Sequence, residues 1–190
     1  YTCKEWGDHE ALVYEDQRLT YKELRRKVFQ LTKALADLGV TKGDKVAYLL
    51  GVVPDWVYLF YATMRLGAIT VPLNLTWVGR EIEQGLRLTD ADYLVVTDSF
   101  RGRNHVEELA EQLPTLASQA RDALHLEQLP HLKKIIVASG TDRHYDFAYD
   151  YGEIFEAAKF YDPLAVEELG ATVGPDDLCL FLLTSGTTSF

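Results

Sequence analysis

Residues 45–71, with the sequence KVAYLLGVVPDWVYLFYATMRLGAITV, decide the fold. The apolar run at 45–50 is short and bounded by turn residues, which is typical of a buried strand. Pro54 suits the first turn of a helix, which Gly67 then ends. A second short apolar run at 68–71 predicts another strand. The stretch therefore predicts a strand–helix–strand unit with parallel strands.

The alternation of strands and helices continues on both sides of this unit. Upstream, a capping box of Thr20 and Glu23 begins an amphipathic helix that ends at Gly39. The other predicted elements are a hairpin at 11–14 and 18–19, a helix at 76–88 capped by Thr76, a strand at 93–97, a helix at 103–112 weakly continued to 125, a strand at 134–137, a loop at 139–151, a short helix at 153–159, turns at 162–177 and a final buried strand at 178–183. This order predicts an α/β fold with a layered, mainly parallel sheet flanked by helices.

Composition and charge exclude several classes of function. The chain has 190 residues, of which 47% are apolar and 25% charged, so it can bury a sizeable core. The formal net charge of −10 argues against nucleic acid or an anionic membrane as a partner, although a small anionic ligand is compatible with it. Cys3 and Cys179 are its two cysteines and have no disulfide or metal-ligand spacing, so a reduced, cytoplasmic protein is expected.

No transmembrane segment is expected. Residues 46–64 contain a single charge, Asp55, but Gly51 and Pro54 interrupt the run. Because Pro costs about 3 kcal/mol inside a helix, a buried strand and a buried helix are expected there. No charged-then-apolar leader is visible. The chain begins at Tyr1 rather than Met, and we expect both ends to continue in a longer protein.

The candidate site is the loop Thr184-Ser185-Gly186-Thr187-Thr188, which follows the final apolar run. Hydroxyl and backbone N–H groups are donors suited to phosphate, and Gly186 lets the backbone approach an anion closely. Ligands of parallel sheets bind beyond the carboxyl ends of the strands, and this loop follows such an end. The pattern differs from the Walker motif, because no Gly-Lys-Ser/Thr follows in the sequence.

Residues 184–188 resemble the phosphate-loop motif of the acyl-adenylate-forming, or AMP-binding, enzymes. This superfamily contains acyl-CoA synthetases, peptide-synthetase adenylation domains and luciferases. Three further segments occur in the family's order, with the patterns Leu-Thr-Tyr-x-Glu-Leu at 19–24, Gly-Asp-x-Val at 43–46 and Gly-Ala-x-x-x-Pro-Leu/Ile-Asn at 67–74. Residues 98–104 resemble a segment of the fatty-acid branch, so the chain looks most like a long-chain fatty acyl-CoA synthetase.

The resemblance implies that residues 1–190 are the truncated N-terminal portion of the large AMP-binding domain, without the downstream nucleotide subdomain and the C-terminal lid domain. It implies a carboxylic acid of the fatty-acid type as substrate, with ATP, Mg²⁺ and coenzyme A for the full-length protein. The residues implied to bind the ATP phosphates are Thr184, Ser185, Gly186, Thr187 and Thr188. The family's catalytic lysine belongs to the lid domain, so no catalytic residue and no metal ligand is assigned, and the isolated chain is expected to be inactive.

One position departs from the family pattern. Ser189 stands where the family usually has Gly, and the motif's lysine is expected just after Phe190. Serine resists a positive φ more than glycine does, so the loop is expected to be stiffer here.

Other interpretations of the sequence stay open. The chain could belong to an aryl-CoA ligase or a peptide-synthetase adenylation domain, or be a non-catalytic interaction domain, and a homodimer is conceivable. A P-loop kinase is disfavoured by the missing lysine motif. The acidic loop around His144 is expected to be solvated rather than a metal site. The basic stripe Lys22, Arg25, Arg26 and Lys33 is expected to be a solvated helix face.

Overall fold

Five parallel strands form the central sheet of the computed structural model, which describes residues 2–184. They are β3 (Lys45–Leu49), β4 (Ile69–Pro72), β5 (Tyr93–Thr97), β6 (Lys134–Ala138) and β7 (Tyr149–Asp150), and their order in the sheet is β4-β3-β5-β6-β7. A separate antiparallel hairpin of β1 (Glu10–Tyr14) and β2 (Gln17–Thr20) precedes them. The predicted α/β fold with a parallel sheet is confirmed.

Helices cover both faces of the sheet. They are α1 (Thr2–Glu5), α2 (Tyr21–Asp37), α3 (Pro54–Arg65), α4 (Gly79–Thr89), α5 (His105–Gln112), α6 (Tyr151–Ala157) and α7 (Pro163–Leu169). Helices α2, α3 and α6 pack on one core, to which β3 contributes Val46 and Tyr48. Helices α4 and α5 pack on the other, to which β3 contributes Ala47 and Leu49. Because side chains alternate along a strand, the continuous apolar run of β3 supplies both cores.

The predicted signals at the ends of α2 are confirmed. The Thr20 hydroxyl accepts the Glu23 backbone N–H at 3.3 Å, and the Glu23 carboxylate accepts the Thr20 N–H at 2.9 Å. This backbone hydrogen bond, followed by one from the Thr20 hydroxyl, lowers the pKa of Glu23. Gly39 follows the helix with a φ of +92°, a conformation that glycine adopts without strain.

Helix α4 begins three residues later than Thr76, so the predicted cap is wrong. The side-chain carbonyl of Asn74 accepts both the backbone N–H and the hydroxyl of Thr76 at 2.9 Å, which holds Thr76 in a turn. The Glu81 carboxylate instead accepts the Val78 N–H at 2.9 Å, and the helix starts at Gly79.

Three connecting segments also differ from the predictions. The weak helical continuation to residue 125 is wrong, because beyond α5 the structure has a single 3₁₀ turn, Leu116–Ser118. The segment predicted as turns contains α7, which Asp162 caps by accepting the Leu164 N–H at 2.9 Å. In the predicted loop at 139–151, the last residues form β7 and begin α6.

The predicted buried strand at 178–183 is wrong. This segment meets edge strand β4 through one parallel bridge between Leu180 and Thr70. Thr70 donates its N–H to Cys179 at 3.0 Å, and Phe181 donates to Thr70 at 2.9 Å. Leu178 and Leu182 are 72% and 60% exposed. Within residues 2–184 the segment is paired along one edge only, so its apolar side chains are not enclosed as those of a central strand are.

Candidate functional site

The order of the strands creates a crevice at the carboxyl ends of β3 and β5. The chain leaves β3 through α3 toward β4, and it leaves β5 through α5 toward β6, on the opposite side. Neighbouring parallel strands whose connections diverge leave a gap between their loops, and ligands of such sheets bind there. The loops at this gap are residues 50–53 and 98–104.

Asp98 is the first residue after β5 and is only 1% exposed. Its carboxylate accepts the Gly140 N–H at 2.7 Å, the Ser139 hydroxyl at 2.7 Å and the Thr141 hydroxyl at 2.5 Å. Burial acts to raise the pKa of Asp98, but the hydrogen bonds from Thr141, Gly140 and Ser139 outweigh it and lower the pKa. The ionised carboxylate therefore fastens the loop after β6 to the end of β5.

Asn104 makes a second connection between the same two loops. Its side-chain oxygen accepts the N–H groups of Val106 at 3.0 Å and Glu107 at 3.1 Å, which caps α5. Its amide nitrogen donates to the Tyr145 hydroxyl at 2.9 Å. One side chain thus fixes both the start of a helix and the loop that follows β6.

Arg103 connects the loop after β4 to α5. Its guanidinium donates to the carbonyls of Thr76 at 3.1 Å and Trp77 at 2.8 Å. It also forms a bidentate ion pair with the Glu108 carboxylate. The hydrogen bond from Arg103 is the main cause of a lowered Glu108 pKa. The loops after β4, β5 and β6 are therefore held in one arrangement by residues that lie within or beside 98–104.

His105 extends this network into the core. Its side chain is fully buried, and its Nε2 lies 2.9 Å from the Leu75 carbonyl. Because a carbonyl can only accept, Nε2 carries the proton in this arrangement. The imidazole therefore acts as a further link between the loop after β4 and the start of α5.

The predicted phosphate loop begins at the same edge of the sheet. The bridge between Leu180 and Thr70 is parallel, so the chain beyond Leu180 runs toward the carboxyl end of β4. Leu183 packs against the core that contains α4 and α5, and Thr184 is exposed. The remaining members of the predicted site, Ser185, Gly186, Thr187 and Thr188, lie outside the described residues.

The sequence-based prediction missed the network that surrounds this edge. Asp98 lies in the family-like segment 98–104, whereas its partners at 139–141 lie in a segment for which the sequence predicts only a loop. A signal was present, because small polar residues directly follow both β5 and β6. The ends of neighbouring parallel strands meet at one edge, which places such residues close together.

Residues 2–184 contain neither a cluster of side chains suited to a metal ion nor a helix suited to crossing a membrane. No group of three or more His, Cys, Asp and Glu side chains in that range is placed to hold a metal ion. In the acidic loop, His144 lies 3.4 Å from Asp146, while Asp150 caps α6 by accepting the Glu153 N–H at 2.8 Å. Within the same range, the helices are too short or too polar to cross a bilayer.

A scan of family models matches the AMP-binding enzyme family over residues 1–190, and the chain belongs to this family. Among curated proteins, "Putative acyl-CoA synthetase YngI" of Bacillus subtilis is 29% identical over 191 residues, which cover 100% of this chain and 34% of YngI. Human mitochondrial medium-chain acyl-CoA ligase ACSF2 is 26% identical, over 91% of this chain and 31% of its own length. The chain therefore spans about a third of the length of these relatives.

Solved structures confirm the fold. The anthranilate CoA ligase AuaEII, in complex with anthranoyl-AMP, superposes with a TM-score of 0.74 at 23% identity, covering 98% of this chain and 31% of that one. The N-terminal domain of FACL13 from Mycobacterium tuberculosis gives a TM-score of 0.69 at 22% identity, and the match covers 97% of this chain and 40% of that one. The parallel sheet flanked by helices is thus the fold of the N-terminal part of adenylate-forming enzymes.

Proposed function

We propose that residues 1–190 form the N-terminal portion of the large domain of an AMP-forming acyl-CoA ligase. In this proposal the complete enzyme activates a carboxylic acid with ATP and transfers the acyl group to coenzyme A. Residues Thr184, Ser185, Gly186, Thr187 and Thr188 hold the β- and γ-phosphates of ATP. A fatty acid is the proposed substrate, because 98–104 resemble the fatty-acid branch and relatives carry the name medium-chain acyl-CoA ligase.

The observation that carries the proposal is the direction of the chain beside β4. Thr184 follows the parallel bridge at Leu180 by four residues, as Asn74 follows Thr70. A hydroxyl-rich loop that starts there would lie at the edge where parallel sheets bind nucleotides. The hydroxyls of Ser185, Thr187 and Thr188 and the backbone around Gly186 would supply donors for phosphate oxygens, in keeping with the family to which the chain belongs.

The proposed reaction has two steps. A carboxylate oxygen of the acid attacks the α-phosphorus of ATP, the bond to the bridging oxygen breaks, and pyrophosphate leaves with the electron pair. The thiol of coenzyme A then loses its proton, its sulfur attacks the acyl carbon, and AMP leaves to give the thioester. The first step brings two anions together, so it depends on alignment and on donors that stabilise the phosphoryl oxygens.

The residues of the chain would contribute positioning rather than acid–base chemistry. The N–H groups of 184–188 suit phosphate oxygens, and the hydroxyls would serve either phosphate oxygens or a Mg²⁺ ion that the nucleotide carries. Mg²⁺ would arrive on the nucleotide and offset its charge there. Residues 1–190 alone are proposed to be inactive, because in the complete enzyme other segments would form the opposite wall of the site.

The test replaces Thr187 and Thr188 with Ala in the complete gene product and measures ATP–pyrophosphate exchange. A hydrogen bond to a charged group contributes about 1.5–3 kcal/mol, so exchange should fall at least about tenfold in kcat/KM for ATP. The matched control replaces two exposed threonines, Thr115 and Thr172, which lie outside this edge and should leave exchange unchanged. Equal exchange rates for both double variants and the parent would refute the phosphate-binding role.

Two further features are proposed for the protein. A cytoplasmic location fits the two free cysteines, Cys3 and Cys179. A homodimer is proposed for residues 1–190, whose apolar strip at Leu178, Leu180, Phe181 and Leu182 is exposed. Fractionation of cells would test the location, and sedimentation of residues 1–190 beside the complete protein would test the dimer.

A further inference from the structure

A pocket of about 560 Å³ lies among helices α1, α2, α3 and α7. None of its lining residues belongs to the loops at the carboxyl ends of the strands, so it is separate from the proposed nucleotide edge. Its volume falls within the range of about 300–1,000 Å³ that is usual for sites of small organic ligands. The floor is apolar and includes Leu24, Val28 and Phe29, of which Phe29 is 4% exposed.

Two arginines of this pocket stack on one aromatic ring. The guanidinium carbons of Arg25 and Arg65 each lie 4.3 Å from the centroid of the Phe29 ring. Arg25 also pairs with Glu167 at 2.6 Å, and the Nε of Arg65 donates to the Val166 carbonyl at 3.2 Å. Stacking and these hydrogen bonds fix both guanidinium planes, so a ligand would find them already oriented.

The charges of the pocket wall do not balance. Lys4, Arg25 and Arg65 are positive, and Glu167 is the carboxylate that lines the pocket with them. Burial lowers the pKa of Arg65, Glu167 opposes this effect, and Arg25 adds to it. Within the described residues, the terminal nitrogens of Arg65 have no hydrogen-bond partner. An excess of positive charge is thus concentrated here in a chain whose net charge is −10.

We propose that this pocket binds an organic anion with an apolar body, whose carboxylate or phosphate pairs with Arg65 and Arg25 while the body packs on Leu24 and Val28. The free donors of Arg65 match the planar, two-oxygen geometry of a carboxylate or phosphate. Tyr21 and Tyr61 also line the pocket. The inference is independent of the proposed ligase activity.

The first experiment compares two fluorescent probes on the chain 1–190. The anion 8-anilinonaphthalene-1-sulfonate and its uncharged analogue N-phenyl-1-naphthylamine share an apolar skeleton and differ in the sulfonate. We expect saturable binding of the anion with one site per chain, at least tenfold tighter than that of the analogue. Equal affinities would overturn the proposal, because the exposed apolar strip at 178–182 would explain such binding.

Variants assign the binding to the arginines. Arg65→Gln should weaken binding of the anionic probe at least tenfold and leave the uncharged probe unaffected, and Arg65→Lys should restore part of the loss. Arg25→Gln is a second variant, useful if Arg65→Gln disturbs folding as judged by circular dichroism. Arg26→Gln is the matched control, since Arg26 is an exposed neighbour on α2 that does not line the pocket. Unchanged binding in the Arg65 and Arg25 variants would overturn the proposal.

Competition then identifies the ligand chemistry. Decanoate and decyl phosphate should displace the probe, whereas decanol and inorganic phosphate should not, because both the charge and the apolar body are required. The relative affinities of decanoate and decyl phosphate then show whether the pocket prefers a carboxylate or a phosphate group. If inorganic phosphate displaced the probe as effectively as decanoate does, the proposed role of the apolar floor would be wrong. If decanol displaced the probe, the proposed role of the arginines would be wrong.

Discussion

Replacing Asp98 with Ala should lower the free energy of unfolding by about 3 kcal/mol at neutral pH. Asp98 is 1% exposed and accepts hydrogen bonds from Ser139, Gly140 and Thr141. Each hydrogen bond to a charged acceptor contributes about 1.5–3 kcal/mol, and bonds that share one acceptor are not additive. Asp98→Asn keeps the shape and one carbonyl oxygen, so its loss should be smaller, about 1.5 kcal/mol.

The stability that Asp98 contributes should decrease as the pH falls. The hydrogen bonds hold the pKa of folded Asp98 below its usual value, which is about 3.9 in an unfolded chain. The carboxylate therefore stabilises the fold above the unfolded-state pKa, and this contribution is lost as the pH falls through the folded-state pKa. The difference in stability between the parent chain and Asp98→Asn should stay constant well above the unfolded-state pKa and narrow as the pH falls from there through the lower folded-state pKa.

Urea unfolding, followed by tryptophan fluorescence at several pH values, measures both effects. Asp146→Asn is the control, because the Asp146 side chain is 91% exposed and its replacement should change stability by less than about 0.5 kcal/mol. A loss below about 1 kcal/mol for Asp98→Ala would refute the proposed contribution of the buried carboxylate. A difference between parent and Asn variant that stays constant as the pH falls would refute the electrostatic part of the reasoning.

Two further predictions test packing and nucleotide binding. A β-carbon on Gly79 would lie 2.2 Å from the Glu108 backbone oxygen, so Gly79→Ala should force α4 away from α5 and cost at least about 2 kcal/mol in urea unfolding. Gly51→Ala is the matched control, since nothing lies within 4 Å of its added carbon, and equal losses for both variants would contradict the reasoning. The isolated chain should bind ATP weakly or not at all, and a calorimetric titration that gives micromolar affinity would contradict its proposed incompleteness.

The strand–helix–strand unit at 45–71 could be predicted because independent signals coincide there. The apolar runs set the length of the strands, Pro54 marks the first turn of α3, and Gly67 follows it with a φ of +69°. The prediction of a buried strand at 178–183 was wrong for a physical reason. An apolar run shows that a segment can be buried, but it does not show whether both of its edges find a partner, and 178–183 meets β4 on one edge through one bridge.

The network at the carboxyl edge could not be predicted from local patterns. Asp98 and Ser139 are 41 residues apart, and they meet because β5 and β6 are neighbours in the sheet. Periodicity predicts that both strands exist, but strand order depends on how the helices pack on the two faces. The phosphate-loop assignment has a different basis, since it depends on a resemblance of residues 184–188 and stays a prediction.

The structural role of Asp98 and the proposed role of the loop at 184–188 are separable in the proposed enzyme. The charged groups beside this edge are hydrogen-bonded or ion-paired within the protein, as for Asp98, Arg103 and Glu108. These contacts hold three loops in place. Groups that are paired in this way stabilise an arrangement, whereas phosphoryl transfer needs donors aimed at the nucleotide. Changes at Asp98 should therefore appear first in unfolding, and changes at Thr187 and Thr188 first in pyrophosphate exchange. If the Asp98→Asn enzyme, fully folded at neutral pH, lost exchange as severely as the threonine variants, the carboxylate would have to act on the substrate itself.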